Sequence, residues 1–220
     1  MTRYRITLAL FLSTVISIAS AGEVRLTQDL PYVDIRHQSQ TVRIERNPDT
    51  ENMLDPDFTL TSRPCPPYCI QPMRLAEDVE TLGELEIIDY LRRIDRGEPV
   101  MVIDSRDSDW PLRSGVIPGA VAIPWQELHP AHTDAARIVE TLVFRFGAAQ
   151  QGPLWNFENA KTLVFYCNGP WCGQSPTNIK QLLALGYPPR KLKWYRGGMQ
   201  DWKMLGLSTV APAATTPTTH

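Results

Sequence analysis

One stretch, Lys161 to Leu185 (KTLVFYCNGPWCGQSPTNIKQLLAL), restricts the fold more than any other. Thr162 to Tyr166 is a short, dense apolar run of strand length, suited to burial on both faces of a sheet. It ends at Cys167 and opens into a loop of Asn168, Gly169, Pro170, Trp171, Cys172 and Gly173. Gln174 leads to Ser175, which offers a helix N-cap, with Pro176 at the first helical position, where its missing N–H costs nothing. Ile179, Leu182 and Leu183 keep helical spacing and Gly186 supplies a stop. A thiol at the tip of a buried strand therefore sits over a loop feeding the positive end of a helix. Free N–H groups and the helix dipole there favour an anion: a thiolate, a persulfide or a bound oxyanion.

Elsewhere the same alternation recurs. Thr81 and Glu84 form a capping box before a helix whose face is Leu85, Ile88, Leu91 and Ile94, ending near Gly97. Val100 to Ile103 is a second buried strand, with Asp104, Ser105 and Arg106 at its carboxyl end; Val121 to Ile123 is a third. Ile138, Val139, Leu142, Val143 and Phe146 mark a helix stopping at Gly147, and Ala148 to Asn159 reads as an inserted loop. Leu192 to Tyr195 is the last strand, and Gln200 to Leu205 a final short helix. Helices alternating with short buried strands predict an α/β fold: a small, mostly parallel sheet flanked by helices on both faces. Ligands in such sheets bind beyond the carboxyl ends of the strands, where Cys167 lies.

The flanks differ. Arg3 and Arg5, the apolar run Ile6 to Ile18 and the small residues Ala19-Ser20-Ala21 predict a signal peptide over residues 1–21, hence export to the periplasm. The apolar run is short for a membrane span, and no later segment approaches one, so no integral membrane segment is expected after cleavage. Residues 22–80 read as an irregular arm. Its TSRPCPPYCIQPM segment is too apolar for a linker and is expected to lie extended against the domain, 81–207. Residues 208–220 read as a disordered tail. Losing Arg3 and Arg5 takes the formal net charge from −2 to −4, which excludes a basic nucleic-acid surface or a polybasic membrane contact.

All four cysteines survive cleavage, in two close pairs. Cys167 is the candidate nucleophile. Cys172 is either a thiol that resolves a Cys167 intermediate or a structural residue. Cys65 and Cys69 form either a local disulfide bracing the arm, a second dithiol, or half of a four-thiolate zinc site, whose usual spacings they do not match. No metal or organic cofactor is expected. His37, His129, His132 and His220 lie far in sequence from the Cys loops and read as surface residues.

Four segments in series resemble the rhodanese, or sulfurtransferase, family: Val102 to Arg106, Gly115 to Pro124, Val164 to Cys167 with its loop, and Arg196 to Trp202. The resemblance implies that Cys167 takes a sulfane sulfur from a small donor such as thiosulfate, a polysulfide or a persulfide. Backbone N–H groups of Asn168, Gly169, Trp171, Gly173, Gln174 and Ser175 hold the persulfide, which passes to a thiol or to a periplasmic partner protein. Asp104, Arg106 and Arg196 support the loop in this picture. The chain departs from the family in two places: the loop holds no Arg or Lys, and Val116 replaces a common His. A phosphatase on the related fold needs Arg six residues after the Cys, where Gly173 stands.

Overall fold

Period-two alternation, buried on both sides, builds the centre of the molecule. The computed structural model describes residues 23–152 and 154–212; the expected signal peptide and the last residues of the tail lie outside them. A hairpin comes first, β1 (Tyr32–His37) and β2 (Gln40–Glu45), then a short helix α1 (Pro56–Thr59). The domain follows as β3 (Glu80–Leu82), α2 (Glu84–Asp95), β4 (Val100–Asp104), α3 (Asp109–Ser114) and β5 (Val121–Ala122). After α4 (Ala135–Glu140) and a π-helical turn (Thr141–Arg145) come β6 (Ala149–Gln151) and β7 (Leu154–Asn156). The chain closes with β8 (Thr162–Tyr166), α5 (Gln174–Ala184), β9 (Leu192–Tyr195) and α6 (Gly198–Met204).

The five-stranded sheet runs β3-β9-β8-β4-β5, and every neighbouring pair is parallel. Val102, Val164, Tyr166 and Tyr195 pack on one face with α2, the hairpin and Trp202; Ile103, Leu163, Phe165, Leu192 and Trp194 pack on the other with Ile138, Ile179 and Leu182. Each such side chain contributes roughly 1.5–3 kcal/mol by leaving water. Asp104, Tyr166 and Tyr195 stand in register, so the strands end level and Cys167 emerges beside Ser105. The α/β fold with helices on both faces is as expected.

Local readings needed correction in four places. Residues 22–80 are not irregular throughout: Val33, Ile35, Ile44 and Phe58 are buried in the first core. Thr81 is not a cap, because pairing with Trp194 draws it into β3, and its hydroxyl donates to the Met73 carbonyl. Gly83 takes the cap position, and its N–H bonds the Glu86 carboxylate at 3.0 Å. The expected loop at 148–159 contains the antiparallel pair β6–β7. The near end of the tail is tied down, with Ser208 N–H donating to Glu45 O and Val210 bridging Val116. No described helix is long and apolar enough to cross a membrane.

Candidate active site

Cys167 follows the last residue of β8 and is 2% exposed. The loop after it folds back on itself through Cys172 N–H donating to Gly169 O at 2.9 Å. Ser175 does not cap α5; the helix starts one residue earlier, with Gly173 at the cap. Inside the first turn, its hydroxyl is instead aimed at the thiol and donates to Cys167 Sγ at 3.1 Å. Trp194 Nε1–H donates to the same Ser175 oxygen at 3.1 Å, which leaves the hydroxyl proton free for the sulfur.

Burial pushes the Cys167 thiol up, and hydrogen bonds from the Cys172 thiol, the Ser175 hydroxyl and N–H, and the Gly169 N–H more than offset it. The net pKa is lowered. Cys172, 5% exposed, is pushed well above its ordinary value by burial and by its donation to Cys167. The first proton of the pair therefore leaves Cys167, and Cys172 remains a thiol. In its protonated state Cys167 donates instead to the Cys172 carbonyl at 3.4 Å, and Cys172 Sγ faces Gln174 Oε1 at 3.6 Å. Ser175→Ala removes a donor to the thiolate, so the pH midpoint of Cys167 alkylation by iodoacetamide is expected to rise. An unchanged midpoint would mean that the hydroxyl does not stabilise the anion.

Two layers of support hold the loop. Behind it, Asp104 and Arg106 form an ion pair with side chains 1% and 0% exposed. Arg106 also donates to Ser114 Oγ at 2.8 Å and to Gly115 O at 2.7 Å, and Tyr166 Oη–H donates to Asp104 at 3.0 Å. Burial works against the Arg106 charge, but Asp104 outweighs it and Cys167 adds in the same direction, so its pKa is raised. Beside the loop, the start of α6 donates Met199 N–H to Cys167 O at 3.0 Å and Gln200 N–H to Asn168 O at 2.9 Å. A Cβ on Gly198, at φ +56°, would meet Cys167 O at 2.3 Å, so only glycine permits this approach.

The arm crosses the site. Gln71 N–H donates to Pro170 O at 2.8 Å, while Gln71 O accepts from Arg196. Arg196, expected to support the loop, bonds the arm segment that itself bonds Pro170. Cys65 and Cys69 are joined as a disulfide, and Cys167 and Cys172 are free. Tyr68 meets Trp171 edge-on with centroids 5.6 Å apart, and Trp171 donates to Gln200 Oε1. Between arm and domain opens a cavity of about 340 Å³ lined by Tyr68, Trp110, Trp125, Asp107, Asn168 and Cys172, among others. Cys167 does not itself line this cavity; its loop neighbours Asn168 and Cys172 do. Asp107, Trp110, Trp125 and Trp194 escaped sequence reasoning. Asp107 stands three residues beyond β4, so the rule that sites gather at strand ends pointed to it. No cluster of metal-ligating side chains occurs among the described residues.

A thiol of lowered pKa, faced by the Gly169 and Ser175 N–H groups, thus lies at the carboxyl end of a parallel sheet. The family model described as the Rhodanese-like domain matches residues 88–205, more than half of the chain. The protein belongs to that family. Among solved structures, a Rhodopseudomonas palustris protein of unknown function, titled a possible tyrosine phosphatase, is 23% identical, covering 62% of this chain and 88% of that one, with TM-score 0.42. The human single-domain sulfurtransferase is 22% identical (57% of this chain, 96% of that one, TM-score 0.38). An As-Sb reductase from Leishmania major is 23% identical (58% and 79%, TM-score 0.38). No curated protein matches the sequence. The family assignment rests on the family match.

Proposed function

We propose that the protein is a sulfurtransferase that carries sulfane sulfur as a persulfide on Cys167. One observation supports this above the others: Gly169 N–H, Ser175 N–H and the Ser175 hydroxyl converge on the buried Cys167 sulfur and lower its pKa. The same groups that stabilise a thiolate stabilise the terminal sulfur of a persulfide. The donor is a small sulfane-sulfur compound (thiosulfate, a polysulfide or a persulfide), and the acceptor is a thiol or another thiophile, free or on a periplasmic partner. Export through a signal peptide is part of this reading, and the Cys65–Cys69 disulfide supports it, because such bonds persist in oxidising compartments.

A second reading has its own observation. The two thiols touch, so Cys167 and Cys172 can cycle as a redox pair. Intact-protein mass spectrometry after exposure to a donor separates the two. Under the sulfurtransferase reading a gain of about 32 Da appears in wild type and in Cys172→Ser and vanishes in Cys167→Ser. Under the redox reading no sulfur is gained, and a Cys167–Cys172 disulfide, about 2 Da lighter, accumulates on oxidation.

A further inference from the structure

The cavity beside Cys172 limits what reacts there. Asp107 is the one charged side chain lining it among the described residues, and no basic residue joins it. Its Oδ1 accepts from Trp125 Nε1 at 2.9 Å and Gln126 Nε2 at 2.6 Å, and its Oδ2 accepts from Gln174 Nε2. No Lys, Arg or His pairs with it among the described residues. The nearby cations are engaged outside the cavity. Arg63 lies on the Trp171 ring at 3.9 Å and donates to Asp57 O; Arg113 lies on the Trp110 ring at 4.5 Å. Arg196 is turned to Gln71. Asn168, 2% exposed and also lining the cavity, keeps an Oδ1 with no donor. The lining thus offers a carboxylate, aromatic rings and an unmet acceptor; Arg63, whose buried Nε has no partner, stacks on the Trp171 ring without lining the pocket.

We infer that the sulfur donor is a small organic persulfide bearing an ammonium group, and that anionic donors such as thiosulfate are disfavoured. The inference rests on the sulfur-transfer reading. An ammonium gains from Asp107 and from the ring faces, and it supplies the donor that Asn168 lacks. Thiosulfate must bring two negative charges out of water beside a carboxylate, with no cation among the lining side chains. In the step itself the Cys167 thiolate attacks the outer sulfur of R–S–SH. The Sγ–S bond forms as the donor S–S bond breaks, R–S⁻ leaves with the electron pair, and the proton stays on the new Cys167 persulfide. No outside oxidant or reductant enters.

The test uses the full protein with its arm disulfide intact and follows the initial rate of the 32 Da gain by mass spectrometry. Donors are the persulfides of cysteamine, 2-mercaptoethanol and 3-mercaptopropionate, with thiosulfate and inorganic polysulfide alongside. Each organic persulfide is normalised to its reaction with a free thiol in solution. Cysteamine persulfide is expected to load about tenfold or more faster than the mercaptopropionate compound at low salt, the ratio shrinking as salt is added and in Asp107→Asn. Because each ratio is taken within one protein, partial loss of folded variant does not alter it. Equal or faster loading by mercaptopropionate persulfide or thiosulfate overturns the donor assignment while leaving sulfur transfer intact. A ratio unmoved by salt and by Asp107→Asn overturns it too. Loading by no donor, polysulfide included, overturns the sulfurtransferase reading itself.

Discussion

Alanine at position 198 is expected to cost about 3 kcal/mol or more, lowering the thermal midpoint by roughly 6–12 °C, and to remove most transfer activity with it. Two costs add. The residue sits at φ +56°, where any Cβ is disfavoured by about 1 kcal/mol. The added carbon also falls 2.3 Å from Cys167 O and 2.9 Å from Gly169 N, both backbone atoms that cannot swing aside. Relief requires α6 to back away, which withdraws Met199 N–H and Gln200 N–H from the carbonyls they satisfy. Gly97→Ala is the matched control. Its φ is +81° but nothing lies within 4 Å of the added carbon, so only the conformational cost of about 1 kcal/mol applies. Equal losses at both positions, read from calorimetric midpoints, would show that the close approach at Gly198 is not what holds the loop.

Removing the Asp104 carboxylate is expected to cost a similar amount, about 3–5 kcal/mol. Asp104→Ala leaves the Arg106 guanidinium charged inside the protein with Ser114 and Gly115 as its only side-chain-bonded partners. Its deprotonation is out of reach near neutral pH. The paired change Asp104→Leu with Arg106→Met is expected to recover part of the loss, since the uncompensated charge is gone. Recovery is incomplete because Tyr166 and Ser114 forfeit partners. Urea midpoints for the three proteins decide the matter; a loss below about 1 kcal/mol in Asp104→Ala would mean that water reaches the guanidinium.

How much of this was legible beforehand depended on the range of the interaction. β8 and β9 could be read to the residue because dense apolar runs buried on both faces have few other fates. Helix starts fared worse. Ser175-Pro176 carries the signature of a cap, yet Gly173 takes that place and Ser175 is turned to a sulfur eight positions back. Thr81 and Glu84 read as a box until a partner strand more than a hundred residues later claimed Thr81. Of the hairpin in the arm only the alternation of Val42 to Glu45 was legible; its partner strand was missed because its outward face is polar and its buried face meets a core assembled from distant segments. Site residues followed the same rule. Cys167, Cys172 and the loop announce themselves by local pattern, whereas Asp107, Trp110 and Trp125 reach the cavity only through the parallel pairing of β4 with β8. Arg196 was named as a support, but its partner, a backbone carbonyl of the arm 125 positions earlier, carries no local signal.

The local disulfide of the arm bears on how four thiols sort themselves during oxidative folding. Cys65 and Cys69 stand four positions apart, whereas either would have to close a loop across most of the domain to reach Cys167. Encounter probability falls with loop length, so Cys65 and Cys69 meet each other before either meets Cys167. Once that bond has formed, the segment that settles onto Trp171 and Pro170 carries no thiol able to capture the nucleophile beneath it. The strap is thereby made chemically inert before it docks, and Cys172 is left as the one other thiol that Cys167 can meet among the described residues.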